Sequence, residues 1–372
     1  MEDDALGTHG VSRIWQATNV SVTGAAHHRG DVECQDDSIS RSWDSGLWAL
    51  VAVADGHGSE AHFRSRRGAE FAVAAMEEVF SSYRDLEEKP SVLRTMASTK
   101  VDWCEAPNLL VANWYARVRD DLIADPPRIF ELDPVDVRLG RYIDHVIATR
   151  GPAAAQRLHD QFAAFESYAE SVHSSETEPA DPDAYGLSPQ EWDAERLGDW
   201  HLRAYGSTAL GVLIGPDAIH WLQIGDGAMV TITGGEPSYL CPPQAEAIAN
   251  ATPSLCDDNA RYRISAGTVP VVPGNVPSAV ILVTDGVPNS FENQAGFFQF
   301  CADIAKRALG TADLSADLER WLPEMSRQGS GDDMSVAMAW ATDGPIERHG
   351  RPQVTKFSWF ESDRRDGTET TC

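Results

Sequence analysis

Three apolar runs in this chain of 372 residues lead directly into an Asp-Gly pair. The aspartates at these positions are Asp55, Asp226 and Asp285. An aspartate at the end of a buried strand presents a hard oxygen ligand at the sheet edge, and the glycine after it lets the backbone approach an ion. The three pairs together predict that several strand ends converge on a metal site.

A single Asp-Gly pair is more often a turn between strands than a metal ligand. The chain contains such a case at Asp343-Gly344, where Pro345 follows, and we interpret that pair as a turn. The prediction of a metal site therefore depends on the whole set of carboxylates and on the residues around each of them.

The composition limits the partners and the compartment. The net charge is −27, from 57 acidic and 30 basic residues, so we expect no nucleic acid or anionic membrane as a partner, because both would be repelled. The six cysteines are scattered without CxxC spacing, which is typical of a reducing compartment. The acidic N-terminus does not resemble a signal peptide, and no apolar run reaches membrane-spanning length. We therefore expect a cytoplasmic protein.

The apolar periodicity predicts an α+β layered fold, with strands in meanders and helices grouped between them. The predicted strands are 37–42, 47–54, 208–214, 218–224, 229–233, 279–284 and 334–340. The predicted helices are one that begins soon after Asp55 and those at 108–124, 144–169, 299–308 and 314–325. We divide the chain into a catalytic domain at 1–342, with an acidic surface insertion around 166–200, and a C-terminal tail at 343–372.

Two further carboxylates extend the predicted metal site. Asp36 stands at the start of the first predicted strand, and Asp332 follows a glycine-rich turn at the start of the last. If all five termini share one end of the fold, their carboxylates remain ionised only beside a counter-cation. Oxygen ligands without a His or Cys cluster select Mg²⁺ or Mn²⁺ over zinc. Two such ions would suit hydrolysis of a phosphate ester, with His57 as general acid; the alternative for His57 is a surface histidine at a helix start.

Six short motifs follow one another along the chain. They are Gln35-Asp36, Asp55-Gly56-His57-Gly58, Gly206-Ser207-Thr208-Ala209, Gly225-Asp226, Asp285-Gly286 and Gly331-Asp332-Asp333. In this order they resemble the metal-dependent protein phosphatases of type 2C, over most of residues 20–342. The opening Gly24, His27 and Cys34 and the segment Trp114–Arg117 resemble a bacterial branch of that family.

The resemblance implies a four-layer αββα sandwich, in which helices flank two central antiparallel sheets and the metal cleft lies at one end. It implies two Mn²⁺ or Mg²⁺ ions with a weaker third, and a phosphoprotein substrate. The implied metal ligands are Asp36 (through metal-bound water), Asp55, the Gly56 carbonyl, Asp226 (at the weaker third ion), Asp285 and Asp332. The implied catalytic residues are His57, as the acid, and Asp36. Asp333 stands where the family often has asparagine, which implies a supporting role.

One position departs from the pattern of the better-known members. These carry an arginine five residues before the opening Asp, where it grips the substrate phosphate in a bidentate fork, and Asp31 stands there in this chain. We expect Arg29 or His27 to contact the phosphate instead.

Three functions remain open from the sequence. The first is a phosphoserine/phosphothreonine protein phosphatase that hydrolyses phosphate monoesters with a water activated between two metal ions. The retained carboxylates favour it, because a binding module has no need to bury five like charges. The missing arginine favours the second, a catalytically weak regulatory module that binds a phosphoprotein. The third is a phosphohydrolase for a small phosphate ester. The sequence carries no signal for the oligomeric state.

Overall fold

The fold is given by a computed structural model in which strands and helices alternate in groups. It describes residues 13–30, 32–88, 103–128, 137–174, 200–244, 252–272, 276–310 and 313–343. The strands are β1 (Arg13–Val22), β2 (Asp36–Trp43), β3 (Trp48–Asp55), β4 (Ala209–Ile214), β5 (Ala218–Ile224), β6 (Ala228–Thr233), β7 (Glu236–Cys241), β8 (Ser265–Pro270), β9 (Ala279–Val283) and β10 (Met334–Asp343). The helices are α1 (Ala25–Gly30), α2 (Ser65–Glu88), α3 (Ala106–Ala124), α4 (Val137–Arg150), α5 (Pro152–Ser174), α6 (Trp200–Ala204), α7 (Ala260–Arg263), α8 (Gln294–Ala308) and α9 (Leu314–Gln328).

The strands form two five-stranded antiparallel sheets. One sheet has the order β1-β10-β9-β6-β7 and the other β2-β3-β4-β5-β8. In β3 the side chains of Leu50 and Ala52 pack under the helices, whereas those of Val51 and Val53 pack between the sheets. Successive side chains of a strand point to opposite faces, so the unbroken apolar run of β3 follows from burial on both faces.

Helices cover the outer face of each sheet. Residues of α2, α3, α4 and α5 join the apolar cluster outside the β2-β3-β4-β5-β8 sheet. Residues of α8 and α9, such as Phe297 and Leu318, join the cluster outside the other sheet. A third cluster, with Trp15, Leu210 and Val280 among its members, fills the space between the sheets. The predicted α+β, four-layer αββα sandwich is confirmed.

One predicted helix is wrong in its continuity. The single helix predicted at 144–169 is two helices, α4 and α5, separated at Gly151. Gly151 has a positive φ of 81°, which ends α4 in the left-handed conformation that glycine adopts easily. Pro152 then begins α5, at the position where its missing N–H costs no helical hydrogen bond.

Some strands and segments were not predicted from the sequence. The strands β1, β7 and β8 lie at sheet edges, and most residues of β7 and β8 are only partly buried, so they lack a strong apolar pattern. The first part of the acidic insertion, 166–174, belongs to α5. The rest of that insertion, 175–199, and the tail from residue 344 onward lie outside the described residues.

The helices of the described part of the chain include none with the length and apolar character that crossing a bilayer requires.

Candidate metal centre

The strand termini that carry the predicted ligands meet at one end of the two sheets. Asp36, the first residue of β2, is the register partner of Asp55, the last residue of β3. In the other sheet, Val283 at the end of β9 pairs with the beginnings of β6 and β10. Because neighbouring antiparallel strands run in opposite directions, one strand's end adjoins the next strand's start. The result is a cleft of about 210 Å³, lined by His27, Gln35, Asp55, Gly56, His57, Gly58, Asp226, Thr252, Asp285, Asp332 and Asp333.

Three of these carboxylates form a compact group. One oxygen each of Asp55, Asp226 and Asp285 lies within 4.8 Å of the other two. Thr252 Oγ1 donates a 2.9 Å hydrogen bond to Asp226, and the Asn289 amide donates one of 3.0 Å to Asp285. These neighbours restrict the orientation of two of the carboxylates before any ion binds.

The electrostatic environment of the cleft opposes ionisation of its carboxylates. Burial, and after it the charge of neighbouring carboxylates, raises the pKa of Asp55 well above its usual range. Burial, followed by the charges of Asp226 and Asp332, raises the pKa of Asp285 to about 6. Burial also raises the pKa of Asp332. The hydrogen bond that its carboxylate accepts from the Asp333 backbone N–H opposes that shift. Like charges at this spacing are stable together only when a cation compensates them.

Asp36 is buried next to the cleft but is not among the residues that line it. Burial raises the pKa of its carboxyl well above the usual range, and a hydrogen bond from Thr284 opposes the shift. Thr284 Oγ1 donates that bond at 2.6 Å and accepts one from the Ser335 N–H. Asp36 is therefore attached to the ends of β9 and β10, although it belongs to the opposite sheet.

The donor set of the cleft fits divalent cations that prefer oxygen. The three grouped side chains offer carboxylate oxygens only, and such oxygens are the ligands that Mg²⁺ and Mn²⁺ favour. Their crowding and their raised pKa values also match a site that is complete only with a cation.

Asp333 connects the cleft to the chain's N-terminal segment. Its two carboxylate oxygens accept hydrogen bonds from the N–H groups of Gly24 and Gln35, both at 2.6 Å. His27 Nδ1 donates a third, at 2.8 Å, and this bond raises the pKa of His27. Asp333 thus connects the start of β10 to Gly24, His27 and Gln35, and the supporting role expected for it stays a prediction.

His57 lies on the wall of the cleft beside the ring of His62. The backbone N–H of His57 donates to the Gly206 carbonyl at 3.0 Å, and the centroids of the two rings are 4.8 Å apart. A Cβ on Gly206 would crowd the Cδ2 atoms of both rings, so a larger residue there would displace at least one of them. Burial lowers the pKa of His57, and the charges of Asp226 and Asp257 oppose that shift.

The two residues expected to contact phosphate differ in position. His27 lines the cleft, whereas Arg29 is exposed on α1 and does not line it. Asp31, at the place of the family's arginine, lies outside the described residues.

Arg138 on α4 is a cation near the cleft that the sequence did not point to. Its Nη1 donates to Ser65 Oγ at 2.9 Å. Its Nη2 lies 3.3 Å from the carbonyl oxygens of His57 and Ser59. Arg138 is separated from these residues by about eighty positions, and no motif surrounds it, so the sequence held no signal for the contact.

Gln35 links Arg138 to the carbonyl of Gly56. The hydrogen-bond network assigns the amide orientation in which the Gln35 nitrogen donates to the Gly56 oxygen at 3.1 Å. The Gln35 oxygen then accepts from Arg138 Nη1 at 2.9 Å. Arg138 therefore restrains the backbone of residues 56–59, both by its own hydrogen bonds and through Gln35.

Comparison with known proteins gives one match at the level of a family. The sequence profile described as "Protein phosphatase 2C" matches residues 23–323, which is most of the chain. Comparison with the curated proteins gave no match.

Solved structures with a similar fold have low sequence identity. The catalytic domain of the serine threonine protein phosphatase PstP, in complex with two manganese ions, is 12% identical with a TM-score of 0.43; the match covers 89% of this chain and 100% of that one. Stp1 from Staphylococcus aureus is 13% identical, with a TM-score of 0.42 and coverage of 89% and 96%. The S. agalactiae serine/threonine phosphatase is 16% identical, with a TM-score of 0.40 and coverage of 88% and 100%.

Proposed function

Because the chain belongs to the protein phosphatase 2C family, we propose that it is a metal-dependent phosphatase that hydrolyses phosphoserine and phosphothreonine in proteins. The observation that carries the proposal is the group of Asp55, Asp226 and Asp285 at the meeting point of the strand ends. A module that only binds a partner gains nothing from crowding these carboxylates, because their burial opposes ionisation.

We propose that Asp55, Asp285, Asp332 and the Gly56 carbonyl hold two Mn²⁺ or Mg²⁺ ions, with Asp226 at a weaker third and Asp36 acting through a water molecule. Bound there, the ions would supply Lewis-acid activation of a water and neutralise the charge of the phosphate. The carboxylates fix the place of the ions, and Thr252 and Asn289 keep two of them in orientation by hydrogen bonds.

His57 is the proposed general acid for the leaving alkoxide of serine or threonine. Its position on the cleft wall supports this role, and burial makes its imidazolium a stronger acid than in water. His27 is the proposed contact to the phosphate, since it lines the same cleft and its raised pKa favours the cationic form. Arg29 is the second proposed contact to the phosphate, from a more exposed position on α1.

The proposed compartment is the cytoplasm. The thiols of Cys34, Cys241, Cys256 and Cys301 are not in disulfides, which is the usual state in a reducing compartment. The proposed partner is a phosphoprotein, and the acidic charge of the chain disfavours nucleic acid and anionic membranes.

Hydrolysis of p-nitrophenyl phosphate and of a phosphothreonine peptide tests the proposal. We expect turnover of both in Mn²⁺, none in EDTA, and none for Asp55→Asn at an unchanged circular dichroism spectrum. If the protein hydrolyses p-nitrophenyl phosphate but not the peptide, it is a small-ester phosphatase instead. No turnover of either by the wild type in Mn²⁺ or Mg²⁺ would leave the regulatory module as the better description.

A further inference from the structure

A second cavity, which we call the arginine cavity, lies beside the cleft. It has a volume of about 240 Å³, and Ala61 and His145 contribute to its wall. The residues that matter for its chemistry are Ser59, His62, Tyr142, Val146, Arg150 and Arg203. They come from the loop after β3, from α4 and from α6, and none of them is among the proposed metal ligands.

The arginine cavity adjoins the proposed catalytic residues through two side chains. Ser59 Oγ and His62 Nδ1 are 2.7 Å apart, and both residues line the cavity. The His62 ring packs edge-on against the His57 ring. A single aromatic ring therefore separates the cavity from the residue proposed to protonate the leaving group.

The charge of the arginine cavity is opposite to that of the chain. The chain carries a net charge of −27, yet Arg150 and Arg203 both lie at this cavity. Both side chains are exposed, and within the described part of the chain neither has a carboxylate partner. By contrast, Arg64 and Arg67 nearby are paired with Asp121. The two guanidinium groups together make the cavity a local site of positive charge in an acidic protein.

Part of the wall of the arginine cavity is apolar. Tyr142 and Val146, one turn apart on α4, are both buried. Apolar side chains and exposed guanidinium groups in the same wall suit a short side chain that has methylene groups and ends in an anion.

We propose that the arginine cavity binds an acidic side chain of the phosphoprotein substrate, a few residues away from the phosphorylated serine or threonine. The inference rests on the proposed function, since it assigns a neighbouring residue of the same substrate. An extended peptide advances roughly 3.3–3.6 Å per residue, so a side chain a few residues from the phosphorylated one has the reach to enter a cavity that only the His62 ring separates from His57. Carboxylate and phosphate share the chemistry that guanidinium groups recognise, and we assign the carboxylate of aspartate or glutamate.

A set of phosphothreonine peptides tests the inference. Two peptides carry a pair of glutamates, either before or after the phosphothreonine; a third carries glutamines, and a fourth carries a second phosphothreonine. For the wild type we expect kcat/KM for one glutamate peptide to exceed that for the glutamine peptide about five- to tenfold, mostly through KM, because two exposed charge pairs contribute modestly. We expect the difference to shrink at high salt.

The variants Arg150→Ala, Arg203→Ala and the double variant identify the groups responsible. In the double variant we expect the glutamate and glutamine peptides to give equal kcat/KM. Arg157→Ala removes an exposed arginine from the next helix, outside the cavity, and we expect it to retain the wild-type preference.

Each outcome bears on one of the two claims. Equal rates on the glutamate and glutamine peptides by a wild type that hydrolyses p-nitrophenyl phosphate would overturn the arginine cavity as a subsite and leave the proposed function intact. A preference that survives in the double variant would do the same. If the wild type prefers only the doubly phosphorylated peptide, the cavity binds a phosphate group and not a carboxylate, and the assignment is overturned. A wild type without turnover of p-nitrophenyl phosphate would overturn the proposed function and the subsite with it.

Discussion

Arg138 holds the segment that carries His57 without lining the cleft itself. Its guanidinium contacts the carbonyl oxygens of His57 and Ser59 and, through Gln35, that of Gly56. Burial lowers the pKa of Arg138, so the contacts offset a real desolvation cost. These observations define a positioning residue, whose effect on catalysis passes through the backbone of residues 56–59.

We expect Arg138→Ala to lower kcat for p-nitrophenyl phosphate roughly 10- to 100-fold with little change in KM, because small displacements of positioned groups are costly in the transition state. Arg138→Lys should restore little, since one ammonium cannot span the same acceptors. Steady-state kinetics in Mn²⁺ provide the measurement. Arg141→Ala, one turn along α4 with a single 3.4 Å bond to the Gly30 carbonyl, is the matched control. A rise in KM at constant kcat would show that Arg138 contacts the substrate instead.

His220 is a buried histidine far from the cleft in the fold. Its Nδ1 lies 2.9 Å from Thr268 Oγ1, and its ring packs on those of Tyr83 and Trp103. Burial lowers its pKa from 6.5 to about 4. Between these values the unfolded chain binds a proton that the folded chain does not, so the stability linked to His220 is lost as the pH falls.

We expect His220→Asn to remove that acid-sensitive part of the stability. As the pH falls from 7 toward 4, the wild type should lose up to about 3 kcal/mol relative to the variant, although the variant starts lower because it lacks the ring contacts. Urea unfolding at several pH values measures the difference. His28→Asn, at an exposed position on α1, should follow the wild type. A difference between wild type and His220→Asn that stays constant with pH would contradict the assignment.

At the scale of elements, the site depends on strand ends that approach each other closely. Gly286 follows the end of β9, and a Cβ at this position would overlap the carbonyl oxygen of Asp333, the residue before β10. Glycine therefore sets the separation between the ends that carry Asp285 and Asp332.

We expect Gly286→Ala to destabilise the fold by roughly 1–3 kcal/mol, because the added methyl group must displace backbone. It should also reduce Mn²⁺-dependent hydrolysis more than its loss of stability explains, since it separates the ligands. Urea unfolding and p-nitrophenyl phosphate turnover below the unfolding transition measure the two effects. Gly310→Ala, whose Cβ would meet only the Arg307 carbonyl oxygen at 3.9 Å, is the control. Equal behaviour of the two variants would contradict this account of Gly286.

The elements also explain what the sequence could predict. The run that ends at Asp55 could be predicted as a strand because β3 is apolar on both faces. The same holds for β9, which precedes Asp285. The break between α4 and α5 had a local signal in Gly151-Pro152, which the helical periodicity on either side outweighed. The contacts of Arg138 have no local signal, because α4 reaches the cleft only through its packing in the fold. Asp55, Asp226 and Asp285 are equally distant along the chain, but a strand-end motif marks each of them, whereas no motif marks Arg138.

For the whole molecule, the crowding of the cleft couples stability to the cation. In the absence of an ion, the buried carboxylates destabilise the fold, because burial and mutual repulsion oppose their charge. A cation that binds only the folded chain adds about 2.7 kcal/mol at a concentration one hundred times its Kd. The same side chains thus destabilise the fold of the metal-free protein and, through the cation they bind, stabilise the fold of the metal-bound protein.

The unfolding midpoint of wild type and Asp55→Asn, measured in EDTA and in saturating Mn²⁺, tests this central claim most directly. We predict that Asp55→Asn is the more stable protein in EDTA, by roughly 1–3 kcal/mol, since it removes one buried charge. In Mn²⁺ the order should reverse, while Asp303→Asn, an exposed position on α8, should respond to Mn²⁺ as the wild type does. If Mn²⁺ leaves the wild type's midpoint unchanged, or the two proteins keep the same order in both conditions, the carboxylates do not bind the ion and the account is contradicted.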